Sequence, residues 1–244
     1  MFSVSEIGEH ARVRSLALQL GLVCGIPFAI ATFLELDLKR VFRLRATTRR
    51  NLIASALLGV CCIPILDEVA FWQVVLTGVS AQPSVAVQSL LRGQSFSEII
   101  WIMVASAVIP AFCEEFFFRG FLLDRFLATG QVGQSLTMTA LLFGLFHFNL
   151  SVLLTTSLAG LLLAFVVWRT DSIFGAIIIH FVVNAWAVCA FNIPAIIHLP
   201  WIGGDRPVPI AVLAFVLAGA VWLGTSLTSA SQTASSADRK THQL

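Results

Sequence analysis

Apolar residues along this chain form long runs, separated by short stretches that carry most of the charged positions. A helix needs about 20 predominantly apolar residues to span a bilayer. Residues 128–168 contain no Asp, Glu, Lys or Arg at all. The pattern predicts a polytopic transmembrane helix bundle with these apolar segments: 15–34, 52–81, 97–118, 134–148, 151–168, 172–191 and 208–228.

The second segment is overlong and is interrupted by Asp67 and Glu68. This favours one tilted helix followed by an interfacial piece, so an eighth membrane-embedded segment is allowed. The predicted fold is therefore all-α, with about seven to eight membrane helices. Along the chain we expect an N-terminal extension (1–14), a transmembrane domain (15–229, with a motif core at 97–190) and a disordered polar tail (230–244).

Composition excludes a soluble protein and gives an orientation. The chain has 244 residues, of which 58% are hydrophobic and 11% charged, whereas soluble domains carry roughly 25% charged residues. A net charge of +2 is too small to indicate a nucleic-acid partner. Basic residues cluster between the first two segments, and the positive-inside rule assigns such a loop to the cytoplasm: Lys39, Arg40, Arg43, Arg45, Arg49 and Arg50. We expect N-out/C-in insertion, in the cell (inner) membrane.

Two adjacent acids lie near the end of the third segment, where a charged side chain costs on the order of 3 kcal/mol and marks a functional site by default. Glu115 and Arg119 stand at i and i+4, the favourable order for a helical ion pair. Glu114 lies about 100° around the helix from Glu115. The spacing therefore predicts that Arg119 neutralises Glu115 and that Glu114 faces a cavity.

Two later segments add polar side chains at helical spacing. Phe143 and His147 share one face of the fourth segment, and His180 and Asn184 share one face of the sixth. At about 1.5 Å per residue, the acid and both imidazoles fall into one layer between the cytoplasmic face and the midplane. Asp171 and Ser172, just before the sixth segment, are typical of a helix N-cap.

These groups suit hydrolysis of an amide or ester bond inside the membrane. A Glu and a His around one water can take its proton, and a His with an Asn can donate to the developing oxyanion. The alternative is zinc, with Glu114, His147 and His180 as ligands. The sequence has no HExxH motif to support zinc and no GxSxG motif for a serine hydrolase,. Zinc thus has no support from a short motif, and the residues alone leave both mechanisms open.

Three motifs occur in order on successive segments: Glu114-Glu115-x-x-x-Arg119, Phe143-x-x-x-His147 and His180-x-x-x-Asn184. Together they resemble the CPBP family, which comprises CAAX prenyl proteases and bacteriocin-processing enzymes and is also called Abi-type. The resemblance implies an intramembrane endopeptidase whose substrate is a membrane-associated protein or peptide.

The resemblance also implies residue roles. Glu114 and His147 match the water-activating pair, and His180 and Asn184 match the oxyanion stabilisers, with Glu115, Arg119 and Phe143 in support. The resemblance allows a metalloprotease or a glutamate-dependent mechanism, and we favour the glutamate-dependent one, without a cofactor. Two other classes stay open: a proton- or metal-coupled transporter that uses the same groups, and a non-catalytic bacteriocin-immunity or interaction protein. The sequence does not select among prenylated CAAX-type, C-terminally anchored and peptide substrates.

Overall fold

The computed structural model describes residues 4–79, 84–202 and 206–228, and this part of the chain is helical, without β-strands. Five helices are long and apolar enough to cross a membrane, and two apolar helices are shorter. We number the helices along the chain: α1 (4–33), α2 (Arg49–Thr77), α3 (Phe96–Leu127), α4 (Val132–Phe146), α5 (Leu150–Thr170), α6 (Phe174–Asn192) and α7 (Ile210–Ser226). The predicted polytopic all-α bundle is confirmed. The predicted tail at 230–244 lies outside the described residues.

The helix bounds differ from the predicted ones mainly at three places, one of which is the end of α3, predicted at 118 and observed at Leu127. Helix α1 begins at Val4, within the predicted extension, and contains a π-helical turn over Gln19–Cys24. Helix α2 continues without a break through the acids that suggested an interfacial piece. It does so because the Glu68 carboxylate is satisfied, accepting from Trp72 Nε1 at 2.8 Å and from the Val208 backbone N–H at 2.7 Å.

The helix connections at one end of the bundle carry the basic cluster. We call this end the basic end, and its connections are residues 34–48, 128–131 and 171–173. Arg43 donates to Asp171 at 2.6 Å and to Asp124 at 3.3 Å, and Arg45 also pairs with Asp171. Ser172 donates to the Arg45 carbonyl at 2.7 Å. Asp171 has a left-handed backbone (φ 52°) and ends α5, so its predicted role as the N-cap of α6 is wrong.

The other end of the bundle, which we call the distal end, contains the start of α1, the short helix Val85–Leu91 and the α4–α5 connection. Arg12 of α1 pairs with Glu98 at 2.9 Å. Asn192, at the end of α6, donates to the Leu91 carbonyl at 2.8 Å. Gln73 of α2 donates to two carbonyls in the first turn of α5, at 3.0 and 2.6 Å. These bonds tie the distal connections to one another.

Candidate active site

An ion pair is enclosed at the centre of the bundle. Glu115 and Arg119 are both fully buried, and Arg119 Nη1 lies 2.8 Å from Glu115 Oε1. Arg119 Nη2 donates to the Gly160 carbonyl of α5 at 3.1 Å, and its guanidinium carbon lies 4.2 Å from the centre of the Phe143 ring. The spacing of the two charges correctly predicted their pairing. The further contacts compensate a charge that would be costly to bury alone.

Glu114 is almost buried but keeps one uncommitted oxygen. Its Oε1 accepts from Gln19 Nε2 of α1 at 2.6 Å. Its Oε2 has no hydrogen-bond partner among the described residues and lies 3.8 Å from His180 Nε2. The two adjacent acids are therefore in different environments, as their angular separation on the helix predicted, and Glu114 Oε2 is available to a water or a substrate.

His180 of α6 lies between the two acids. Its Nδ1 is 2.8 Å from Glu115 Oε1, the oxygen that also accepts from Arg119. Beside the guanidinium Glu115 acts as an acceptor, so His180 Nδ1 is the donor in this bond. The ring is thereby held with Nε2 directed towards Glu114. The sequence predicted that His180 shares a face with Asn184, but it gave no sign of the bond to Glu115.

His147 directly follows the last residue of α4 and caps its C-terminal end, and its ring is held by this helix. Nδ1 lies 2.9 Å from the Phe143 carbonyl oxygen. A carbonyl can only accept, so Nδ1 is the donor in this bond, and in the neutral ring Nε2 is left with its lone pair. Phe148 follows with φ 47°, a left-handed conformation that ends the helix,. The Phe143 ring lies 5.0 Å from the His147 ring and 5.6 Å from the His180 ring, and so packs against both imidazoles.

One cavity of about 590 Å³ collects these groups. Its lining includes all the residues predicted to act on the substrate, Glu114, His147, His180 and Asn184, together with Phe143. The Asn184 side chain forms no hydrogen bond to another described residue. The supporting pair, Glu115 and Arg119, lies outside the lining. The volume falls within the range of about 300–1,000 Å³ that is usual for binding sites.

Comparison with known proteins identifies part of the chain. Residues 95–186 match the family described as type II CAAX prenyl endopeptidase Rce1-like. This segment is Rce1-like. The resemblance to the CPBP family that the motifs indicated is thereby confirmed, and because the family is a protease family, the match supports a peptide hydrolase that is an integral membrane protein. No curated protein and no solved structure matches the chain.

The Rce1-like segment contains all three motifs but not every residue near them. It begins at Ser95, whose hydroxyl caps α3 by accepting from the Glu98 N–H at 3.2 Å. Gln19, the partner of Glu114, precedes the segment, as does Asp67, which also lines the cavity. Sequence reasoning missed Gln19. The sign in the sequence that could have indicated it is an amide side chain within an otherwise apolar run. In the structure Gln19 also begins a π-helical turn, a feature that often marks a functional site,.

Metal ligation requires several donor atoms in one geometry. Among the described residues no three His, Cys, Asp or Glu side chains are grouped so that they can hold a metal ion. The bonds from His180 Nδ1 to Glu115 and from Gln19 to Glu114 Oε1 leave His180 Nε2 and Glu114 Oε2 as the free donor atoms, and such a carboxylate partner is usual for a metal-bound histidine. As described, these side chains are not arranged as a zinc ligand set.

Proposed function

We propose that this protein is an intramembrane endopeptidase that hydrolyses a peptide bond in a membrane-associated protein or peptide, of the prenylated CAAX type or anchored at its C terminus. The observation that carries the proposal is the convergence of Glu114, His147, His180 and Asn184 on one cavity, with Glu114 Oε2 uncommitted. The protease family of the Rce1-like segment supports the same class of reaction.

Water activation falls to Glu114 and His147. A water that donates to Glu114 Oε2 and to the lone pair of His147 Nε2 can lose a proton to either group, and the resulting hydroxide attacks the carbonyl carbon of the substrate. The tetrahedral intermediate then collapses, the C–N bond breaks, and the proton passes to the leaving amine. Gln19 keeps Glu114 oriented during these steps through the bond to Oε1.

Oxyanion stabilisation falls to His180 and Asn184. Because Nδ1 of His180 is committed to Glu115, its Nε2 can donate only when the ring carries both protons,. The Asn184 amide is not committed to another described residue and can donate in every state. Asn184 is therefore the donor that does not depend on the protonation of its neighbours. One such preorganised donor typically lowers the activation free energy by about 3–4 kcal/mol.

The test compares wild type with Glu114→Gln in cells that express the protein, by mass spectrometry of membrane-protein termini. Glutamine has the same shape but cannot take a proton, so we expect wild-type-specific new termini to disappear. Glu35→Gln is the matched control, since Glu35 lies exposed at the basic end and far from the cavity. Identical profiles for wild type and Glu114→Gln, with both proteins present at equal levels, would refute proteolysis and favour the non-catalytic interaction protein.

We further propose that water activation needs no metal ion, because the donors are not grouped as a ligand set. Purified protein is then expected to contain no stoichiometric zinc and to keep its cleavage activity in a chelator. A stoichiometric metal that is lost in His147→Ala would contradict this part of the proposal while leaving the peptidase reaction in place.

A further inference from the structure

The walls of the cavity come mainly from one half of the bundle. At the distal end they include Leu90 and Leu91 of the short helix Val85–Leu91, Asn149 of the α4–α5 connection and Ser151 in the first turn of α5. From the helices they take mostly residues of the distal halves, while the deepest part of the wall lies on the basic side of the helix midpoints: Leu162, Leu163, Ile179 and His180. No described residue of the basic-end connections 34–48, 128–131 and 171–173 lines the cavity. The cavity therefore extends from the candidate active site towards the distal end.

Towards the basic end the site is closed by a packed layer. The buried pair Glu115–Arg119 lies directly behind His180 and Phe143. Phe118, which is 2% exposed, packs edge-on against Phe143 at 5.1 Å. Beyond it, Phe42 and Phe116 stack at 4.4 Å, and Phe42 is fully buried. Buried, mutually packed side chains therefore bound the site on this side.

This geometry differs from the expected depth. The sequence placed the acid and imidazoles between the basic face and the midplane, partly because α3 was expected to end near 118. In the structure α3 continues to Leu127, so that thirteen residues, or about 20 Å, separate Glu114 from its basic end. His147 is likewise at the far end of α4, fifteen residues or about 22 Å from Val132,. His180 does not differ in this way, since it lies six residues or about 9 Å from the start of α6 at Phe174,. The difference in depth therefore concerns Glu114 and His147.

The charges orient these two ends relative to the cytoplasm. The basic end carries the cluster between residues 39 and 50, together with Arg125 and Arg169. At the distal end Arg12 is only 2% exposed and is neutralised by Glu98. The positive-inside rule therefore assigns the basic end to the cytoplasm.

We propose that the cavity opens on the non-cytoplasmic face of the membrane, and that the substrate is an exported polypeptide, anchored in the bilayer, whose scissile bond is presented on that face. The proposal rests on the proposed peptidase function. Three polar, uncharged residues line the distal part of the cavity: Ser151, Thr155 and Thr156. The two threonine hydroxyls donate to the Val152 carbonyl, so their oxygens can accept from N–H groups of an extended peptide. Of the two substrate types in the proposed function, this access face favours a polypeptide anchored at its C terminus, because a prenylated CAAX chain in the cytoplasm would meet the closed face instead.

Single cysteines labelled with a membrane-impermeant maleimide test the proposal in intact and permeabilised cells. Val85→Cys reports the distal end (77% exposed), Ala128→Cys reports the basic end, and Ala187→Cys lies in the cavity wall. Wild type, with its five native cysteines, gives the baseline, and any that react are replaced by serine. We expect Val85→Cys and Ala187→Cys to be labelled in intact cells, and Ala128→Cys only after permeabilisation.

Two labelling results would overturn the access proposal. One is labelling of Val85→Cys only after permeabilisation, which would reverse the orientation. The other is an Ala187→Cys that reacts only after permeabilisation, or on neither face. Mapping of the Glu114-dependent termini separates this proposal from the peptidase function. Cleavage sites in cytoplasmic segments would refute the access face alone. The absence of any Glu114-dependent cleavage would refute the peptidase function and leave the labelling result valid.

Discussion

Gln19 holds one oxygen of Glu114 from a different helix, and its replacement by leucine tests whether this contact positions the carboxylate. Gln19 Nε2 lies 2.6 Å from Glu114 Oε1, and Gln19 Oε1 has no hydrogen-bond partner among the described residues. Leucine fills a similar volume without either polar group. We expect Gln19→Leu to lower kcat with little change in KM, because the carboxylate loses its orientation while the rest of the cavity is unchanged.

The magnitude follows from two different energies. A hydrogen bond to a charged group contributes about 1.5–3 kcal/mol, and about 1.4 kcal/mol corresponds to a factor of ten. If this bond is needed in the transition state, kcat falls by about 10- to 140-fold. For folding, hydrogen bonds between membrane helices average only about 0.6 kcal/mol, and Gln19→Leu also removes the unpartnered Oε1. We therefore expect the free energy of unfolding to change by less than about 1 kcal/mol.

The assay measures cleavage of an identified substrate by purified protein, together with thermal unfolding in the same detergent. Ser15→Ala is the matched control, because Ser15 lines the same cavity one turn earlier on α1 and has no bond to Glu114. An unchanged kcat in Gln19→Leu would refute the positioning role. So would an equal fall in kcat for Ser15→Ala, or a fall accompanied by a large loss of stability, since both would indicate a general disturbance of α1.

Two further substitutions test the support behind the site. Arg119→Met leaves Glu115 buried without its cation, and we expect it to lower the free energy of unfolding by about 3–5 kcal/mol. The double variant Glu115→Gln/Arg119→Met is expected to recover part of this loss. Equal stability of wild type and Arg119→Met would contradict the prediction. Gly160→Ala places a Cβ 3.1 Å from the Phe143 ring, so we expect about 1–3 kcal/mol of destabilisation and a lower kcat. The control Gly133→Ala meets no atom within 4 Å and is expected to stabilise α4 by about 0.5–1 kcal/mol; similar effects of the two substitutions would refute the packing argument.

The membrane helices were predictable because each is a continuous apolar run with polar ends. The sixth segment, predicted at 172–191, is observed at Phe174–Asn192, and the seventh, predicted at 208–228, is observed at Ile210–Ser226. The second segment shows the limit of this reasoning. Its two acids indicated a break, but Glu68 finds partners on its own helix and just before α7. A pattern along one helix contains no information about a partner 140 residues away.

Contacts between helices were less accessible than the helices themselves. Helices that are apolar on all sides have weak periodicity, so the sequence does not define which face of one meets which face of another. The pair Glu115–Arg119 was predictable because both residues belong to one helix. The bonds from Gln19 to Glu114 and from His180 to Glu115 depend on the rotation and tilt of three helices. Neither bond was foreseen.

The bond from His180 to Glu115 changes how the third motif functions in the proposed reaction. Spacing alone suggests two equivalent donors, since His180 and Asn184 lie one turn apart on one face of α6. In the structure Glu115 binds Nδ1 of His180, and Glu114 lies 3.8 Å from Nε2. His180 is thus coupled to both acids, whereas the Asn184 amide has no such partner. In the proposed reaction, the ability of His180 to donate changes as protons move between the two acids and its ring. The Asn184 amide donates whatever the protonation of Glu114 and Glu115. Asn184 is therefore the residue that can stabilise the oxyanion throughout the proposed reaction.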